Sequence, residues 1–248
     1  SGARAHRERH PMARGLPARA GMAPFASRFF AFVLFAASTT GSASYAQRNI
    51  ELSGPLERAP LGDVGGFVAD PEGSSCLYSA DPGRTGRFVL RRAPLTGAGP
   101  SLEFGPVDGP FAERGGRVFW LAPTEGGREL RTRRADGADA ALVLSAVLAP
   151  GETVDGFVVS ADGGHVLYRA GLESERRYEL FSVASEGGPV AKVSGPLGAG
   201  GRVEDDVVLG PDGQSVYFRA LVRVGVHELF RGTLDGRQPV TRLCDPHA

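Results

Sequence analysis

From Val64 onward the apolar positions come in short bursts, and the bursts repeat. One unit reads as a lead valine, a Gly-containing turn, an apolar-aromatic run, a charged loop, a second apolar run and a second Gly turn. The lead valines are Val64, Val107, Val154 and Val203. The turns are Pro71-Glu72-Gly73, Arg114-Gly115, Ala161-Asp162-Gly163 and Pro211-Asp212-Gly213. The runs behind them are Cys76-Leu77-Tyr78, Val118-Phe119-Trp120, Val166-Leu167-Tyr168 and Val216-Tyr217-Phe218. The second run carries Leu90, Leu130, Leu180 and Leu229. Each leucine is followed seven residues later by a glycine: Gly97, Gly137, Gly187 and Gly236. Pro55, Pro106, Pro150, Pro196 and Pro246 mark the joints, at spacings of 51, 44, 46 and 50 residues. No segment beyond Gln47 shows the 3.6-residue period of a helix.

Each unit therefore predicts four short strands and three tight turns within about 45 residues, the period of a four-stranded propeller blade. The turn chemistry agrees. Proline sets φ, aspartate bonds its own backbone, and glycine takes the left-handed position. Runs such as Val-Leu-Tyr, in place of strict alternation, predict strands covered on both faces, as where blades stack. The expected fold is all-β: a β-propeller with four visible four-stranded blades, at about residues 63–105, 106–150, 152–197 and 201–246, forming part of a larger propeller. A sandwich or a solenoid does not account for a constant Leu-to-Gly offset at this period.

Residues before Gln47 read differently. Phe29–Ala37 is the most apolar run of the chain, nine residues, too short to cross a bilayer about 30 Å thick. Arg28 precedes it, and Ser44-Tyr45-Ala46 places small side chains at the −3 and −1 positions of a cut before Gln47. These are the parts of a secretory signal peptide, expected at residues 22–46 with Met22 as its start. Residues 1–21 then form an upstream segment, and 47–248 the exported propeller.

The formal charge is zero, but six Arg and one Glu lie in residues 1–46, leaving 22 basic against 27 acidic residues beyond. A mildly acidic body lacks the electrostatic footprint for a phosphate backbone, so no nucleic-acid partner is expected. Lys192 is the single lysine against 27 arginines, a bias that reads as coding composition.

No motif brings catalytic chemistry. His165, His227 and His247 have no i, i+4 partner, and His6 and His10 fall in the leader region. No Gly-x-Ser-x-Gly elbow occurs. Glu204-Asp205-Asp206 is the densest acidic spot and reads as a solvated face. Cys76 takes a slot that valine fills in the other units, so it reads as a packing residue and not as a disulfide partner of Cys244. Trp120 shares its slot with Tyr78, Tyr168 and Phe218, which assigns all four to a core layer and not to a sugar platform. No catalytic, metal or cofactor-binding residue is assigned, and no cofactor is expected.

Residues 203–218, with Gly-Pro-Asp-Gly before Val216-Tyr217-Phe218, resemble the WD40-like PD40 repeat of TolB-type propellers. Glu228-Leu229-Phe230 and Leu234-Asp235-Gly236 are similar to the second half of that repeat. Residues 154–188 match with Ala161 in place of proline, and Glu113-Arg114-Gly115 departs from the pattern. The resemblance covers about residues 48–246. It implies a propeller. In TolB the propeller binds proteins of the envelope-spanning Tol–Pal system; in prolyl oligopeptidase-type peptidases it gates a separate hydrolase domain.

The expectation is thus a non-enzymatic scaffold, periplasmic or secreted, that binds a protein of the cell envelope and does not stay inserted in the membrane after leader cleavage. The alternatives are the regulatory propeller of such a peptidase and a propeller that binds a glycan or small ligand. Contact surfaces are expected on the variable loops Asp81–Arg87, Pro123–Arg128, Leu172–Arg177 and Leu221–Val226.

Overall fold

A computed structural model describes residues 62–244, apart from residues 71, 72, 84, 146, 147, 149, 173–176 and 199. The signal peptide expected at 22–46, Pro55, Pro246 and His247 lie outside the described residues.

Among the described residues, sixteen strands form four separate antiparallel sheets, each a local meander. The first is β1 (Asp63–Ala69), β2 (Ser75–Asp81), β3 (Val89–Pro94) and β4 (Leu102–Pro106). The second is β5 (Phe111–Arg114), β6 (Arg117–Thr124), β7 (Gly127–Arg134) and β8 (Leu142–Val143). The third is β9 (Glu152–Val159), β10 (His165–Leu172), β11 (Arg177–Ala184) and β12 (Ala191–Lys192). The fourth is β13 (Arg202–Leu209), β14 (Ser215–Arg223), β15 (Val226–Thr233) and β16 (Thr241–Arg242). In each, strand order follows chain order, with every strand hydrogen-bonded to the next.

The sheets stack in sequence order, and the second strand of each shows how. Successive residues of a strand point to opposite faces, so neighbours in β6 and β10 enter different cores. Trp120 packs with Leu77, Leu90 and Phe104 of the preceding sheet. Its neighbour Phe119 packs with Val154, Val166 and Tyr168 of the following one. One sheet later, Tyr168 faces back and Leu167 faces forward, onto Val203, Val216 and Phe218. A strand buried on both faces needs apolar side chains at consecutive positions. The second strand of the first sheet, β2, is buried along its whole length. Burying one such Leu or Phe contributes about 1.5–3 kcal/mol, so the seams between sheets dominate the stabilisation.

The repeated leucine serves the forward face. Leu90, Leu130 and Leu180 are fully buried, each against the next sheet. The lead valine serves the backward face: Val107, Val154 and Val203 join the same three seams. Val107 lies just outside β4, in the connection to β5.

The glycine seven residues beyond each leucine closes the turn into the fourth strand. Its N–H donates to the carbonyl three residues back: Gly97 to Pro94, Gly137 to Arg134, Gly187 to Ala184, Gly236 to Thr233. All four have positive φ, from 64° to 88°. Three are also packed against the preceding sheet. A Cβ at Gly137 would lie 2.7 Å from Leu102, at Gly187 2.8 Å from Leu142, and at Gly236 2.7 Å from the Lys192 carbonyl. Conformation and close approach both demand glycine here.

Both cysteines are free. Cys76 is buried in β2, and burial pushes its thiol pKa up. Trp120 is fully buried, edge-on to Phe104 with ring centroids 6.0 Å apart, and its indole N–H meets no acceptor. That is a core position, as the shared slot predicts.

Candidate interaction site

Two of the four loops marked as variable are mostly strand. β6 and β7 run through Pro123–Arg128 and leave a two-residue turn, Glu125-Gly126. β14 and β15 likewise shrink Leu221–Val226 to Val224-Gly225. The charged residues there continue the strand pairing, so charge was a poor guide to loop length. Residues 173–176 lie outside the described residues. Asp81–Arg87 is a real loop and is tied down from within: Asp81 accepts hydrogen bonds from the Gly86 N–H and the Thr85 hydroxyl. Burial raises the Asp81 pKa, but these bonds outweigh it and hold the carboxyl below its usual range.

The acidic triplet is largely solvated, as expected: Asp205 and Asp206 are exposed and Glu204 is half-buried. Glu204 lies 3.1 Å from Arg202 Nε and 3.1 Å from His227 Nε2. Asp206 pairs with Arg219 at 2.9 Å. His227 sits in β15. Two arginines and a histidine thus face two of the three carboxylates. Among the described residues no group of three or more His, Cys, Asp or Glu is arranged to hold a metal ion.

Neighbouring blades are joined by arginines. Arg128 of β7 reaches Asp155 of β9 at 3.5 Å, and Arg169 of β10 grips the same carboxylate. Arg169 also donates to the Val203 carbonyl of the next sheet at 3.2 Å and lies over the Tyr178 ring at 4.7 Å. Burial lowers its pKa, opposed by the field of Asp205. The planar, multi-donor guanidinium suits this bridging of carboxylate, carbonyl and ring.

A concavity lies on the rim formed by the turns between first and second strands. It is a cleft of about 630 Å³ spanning the first three sheets. At its first-sheet end, Asp70 is wrapped by its own turn, accepting from the Ser75 hydroxyl at 2.5 Å, the Ser74 hydroxyl at 2.7 Å and the Ser74 N–H at 3.2 Å. Burial works to raise the Asp70 pKa, yet these donors hold it far below the carboxylate range. Arg92 bridges Asp70 at 3.6 Å and Glu113 at 3.0 Å, locking the first sheet to the second.

The middle of the cleft is the turn of the second sheet. It has lost the Pro-Asp pair for a physical reason: Arg114 pairs directly with Arg117, leaving only Gly115 and Gly116 to turn the chain. Both have positive φ, 58° and 70°, the two-residue turn whose twist suits a hairpin. The shortened turn admits its neighbour, and a Cβ on Gly163 would lie 2.7 Å from Gly115 Cα. On the far wall, Arg134 pairs with Asp136 at 2.6 Å, which holds the Asp136 carboxyl low and the guanidinium high. Arg114 is exposed and has no hydrogen-bond or ion-pair partner among the described residues. The cleft is therefore a rigid polar trough with fixed ion pairs and one uncommitted cation. The sequence carried no sign of it, because its residues come from three repeats.

No protein-family profile matches the chain, and no characterised protein matches it by sequence. Solved structures do. The chain is similar to a prolyl endopeptidase, with 16% identity over 75% of this chain and 28% of that one, at a TM-score of 0.56. It is similar to oligopeptidase B from Leishmania major, with 13% identity over 71% of this chain and 25% of that one, at 0.50. TolB from Acinetobacter baumannii aligns with 16% identity over 73% of this chain and 44% of that one, at 0.49. The chain spans less than half the length of each. Together with the four stacked sheets, the likenesses to the two peptidases establish the fold as a β-propeller.

Proposed function

We propose that this chain is a non-catalytic propeller scaffold, exported to the periplasm or cell envelope, that binds a protein partner through the rim cleft over its first three blades. The observation that carries this reading is the cleft itself. Its walls are held by the Arg92 bridge and the Gly115–Gly163 contact, so a partner meets a preformed surface and little ordering entropy opposes binding. Its chemistry is that of a polar recognition surface: Arg114 offers an uncommitted guanidinium, and Asp136 and Asp162 offer acceptors. A partner presenting a carboxylate beside backbone donors suits it.

The test is capture from envelope extract on the immobilised chain. A protein should be retained, and Arg114→Glu should weaken its binding at least about tenfold through like-charge repulsion. Arg242→Glu, on the outer strand of the fourth blade and far from the cleft, should leave binding unchanged. Equal retention by both variants removes the cleft from the reading. Retention of a hydrolase domain with peptidase activity would favour the regulatory-propeller alternative, and retention of glycan alone the third.

A further inference from the structure

The first sheet is buried on a face where no described sheet lies. Leu77 packs into the seam with the second sheet. Its neighbours Cys76 and Tyr78 therefore point the other way, onto the backward face. In the later sheets the same two slots, such as Val118 and Trp120, are buried against the sheet before. An uncovered end sheet would leave Cys76 and Tyr78 open to solvent. Yet Cys76 is 7% exposed, Tyr78 3%, Ala80 0% and Ala93 4%. Arg91, opposite Tyr78 in the pairing, has its Nε buried too. Among the described residues, the cluster of Tyr78, Ala80 and Ala93 includes no side chain from another sheet. The cover is also one-sided. On the inner strand of this face, Phe67 pairs with Tyr78 and Val64 with Ala80, yet they are 75% and 40% exposed. Buried middle strands beside an open inner strand are the footprint of a single outer strand, not of a whole blade.

The repeat supplies such a strand. Phe104, Leu144 and Val193 hold one position at the fourth strand of their sheets. The residues before them, Glu103, Val143 and Lys192, pair with Arg91, Arg131 and Phe181, each one beyond the repeated leucine. All three pack into the seam with the following sheet. Phe104 meets Trp120 there, and Trp120 stands in the slot that Tyr78 fills in the first sheet. Leu52-Ser53-Gly54-Pro55-Leu56 repeats Val193-Ser194-Gly195-Pro196-Leu197 with one change. Leu52 precedes its lead valine by twelve residues, and Val193 precedes its own by ten. Leu197 packs on the same seam as Val193, and Leu56 follows Leu52 at the same interval.

We propose that the chain's own residues 52–56, outside the described residues, dock on the backward face of the first sheet as a fourth-strand segment. Leu52 and Leu56 then cover Tyr78, Cys76 and Ala93, and Phe67 stays open. The segment shields the first sheet of the stack, the part that capping elements play in repeat arrays. The argument is continuity: the contact made by the fourth strands at three seams is made once more, by a peptide of the same sequence, on the same slots.

Cys76 reports on the cover. With Cys244→Ser in the full chain it is the single thiol left, and iodoacetamide should modify it slowly. Adding Leu52→Asp and Leu56→Asp together should speed modification at least about tenfold, with the sheet signal in circular dichroism retained. An unchanged rate overturns the proposal. A photo-cross-link decides the matter without charges that could unfold the first sheet. Leu52→p-benzoylphenylalanine in the full chain should, on irradiation, attach within residues 75–81 or 89–94 of the same molecule. Attachment to another blade, attachment only between molecules, or no attachment overturns the proposal.

Discussion

Leu180 and Leu229 occupy the same position in adjacent copies of one repeat, and their surroundings differ completely. Leu180 is 1% exposed and packs on Val203 and Val216 of the blade that follows; Leu229 faces outward. Arg169 crosses to the next blade, whereas Arg219 stays within its own. Gly163 abuts the glycine turn of the blade before it, and Gly213, at the same turn, has no atom within 4 Å of where a Cβ would stand. The repeat specifies which side chains a blade offers to its neighbours. Whether those side chains are buried depends on the neighbour.

The largest consequence is an asymmetry between identical substitutions. Leu180→Ala should cost about 2–5 kcal/mol, from lost burial and a residual cavity. Leu229→Ala, measured in dilute solution, should stay within about 0.5 kcal/mol, as for a surface site. Urea unfolding of the two variants checks this. Equal costs in dilute solution would mean the two seams are not distinguished by their neighbours.

The blade architecture was legible because its signals are local. The Leu-to-Gly offset is a strand remainder followed by a four-residue turn, and the Val-Leu-Tyr runs are strands covered on both faces. Trp120 was placed in the core by its shared slot alone. What was not legible required two repeats at once. The excess of arginine read as coding composition, yet Arg92, Arg128 and Arg169 each tie neighbouring blades together. Glu113-Arg114-Gly115 read as a degraded copy of the turn, whereas it is a shorter hairpin that lets Gly163 approach. The rim cleft draws its walls from three blades, and sequence periodicity describes one blade at a time.

The glycine pair gives the intermediate effect. Both residues have positive φ, 74° at Gly163 and 66° at Gly213. An added methyl therefore strains the backbone of either, by about 1 kcal/mol. At Gly163 the methyl also meets Gly115 Cα at 2.7 Å, and the obstacle is backbone, which cannot rotate away. Gly163→Ala should accordingly cost about 2 kcal/mol or more, and Gly213→Ala about 1 kcal/mol. Thermal unfolding of the two variants measures the difference, which isolates the contact between rims from the conformational term they share. If the two variants melt together, the blade 2–blade 3 contact contributes nothing.

The smallest effect separates the turns by pH. Asp212 accepts hydrogen bonds from the Ser215 hydroxyl and N–H and from the Gln214 N–H, which lower its pKa from an ordinary 3.8 to about 2. A carboxyl depressed in the folded state adds stability that is fully present above its unfolded value and is lost as pH falls through the folded one. The contribution of Asp212 should therefore fade between about pH 4 and pH 2. In Asp212→Asn the amide oxygen still accepts hydrogen bonds but carries no charge to titrate. The gap in Tm between wild type and this variant should be constant above about pH 5 and should close toward pH 2. The exposed position keeps the gap small. A gap that persists unchanged down to pH 2 would assign the turn's stability to its backbone geometry and remove the aspartate charge from the account.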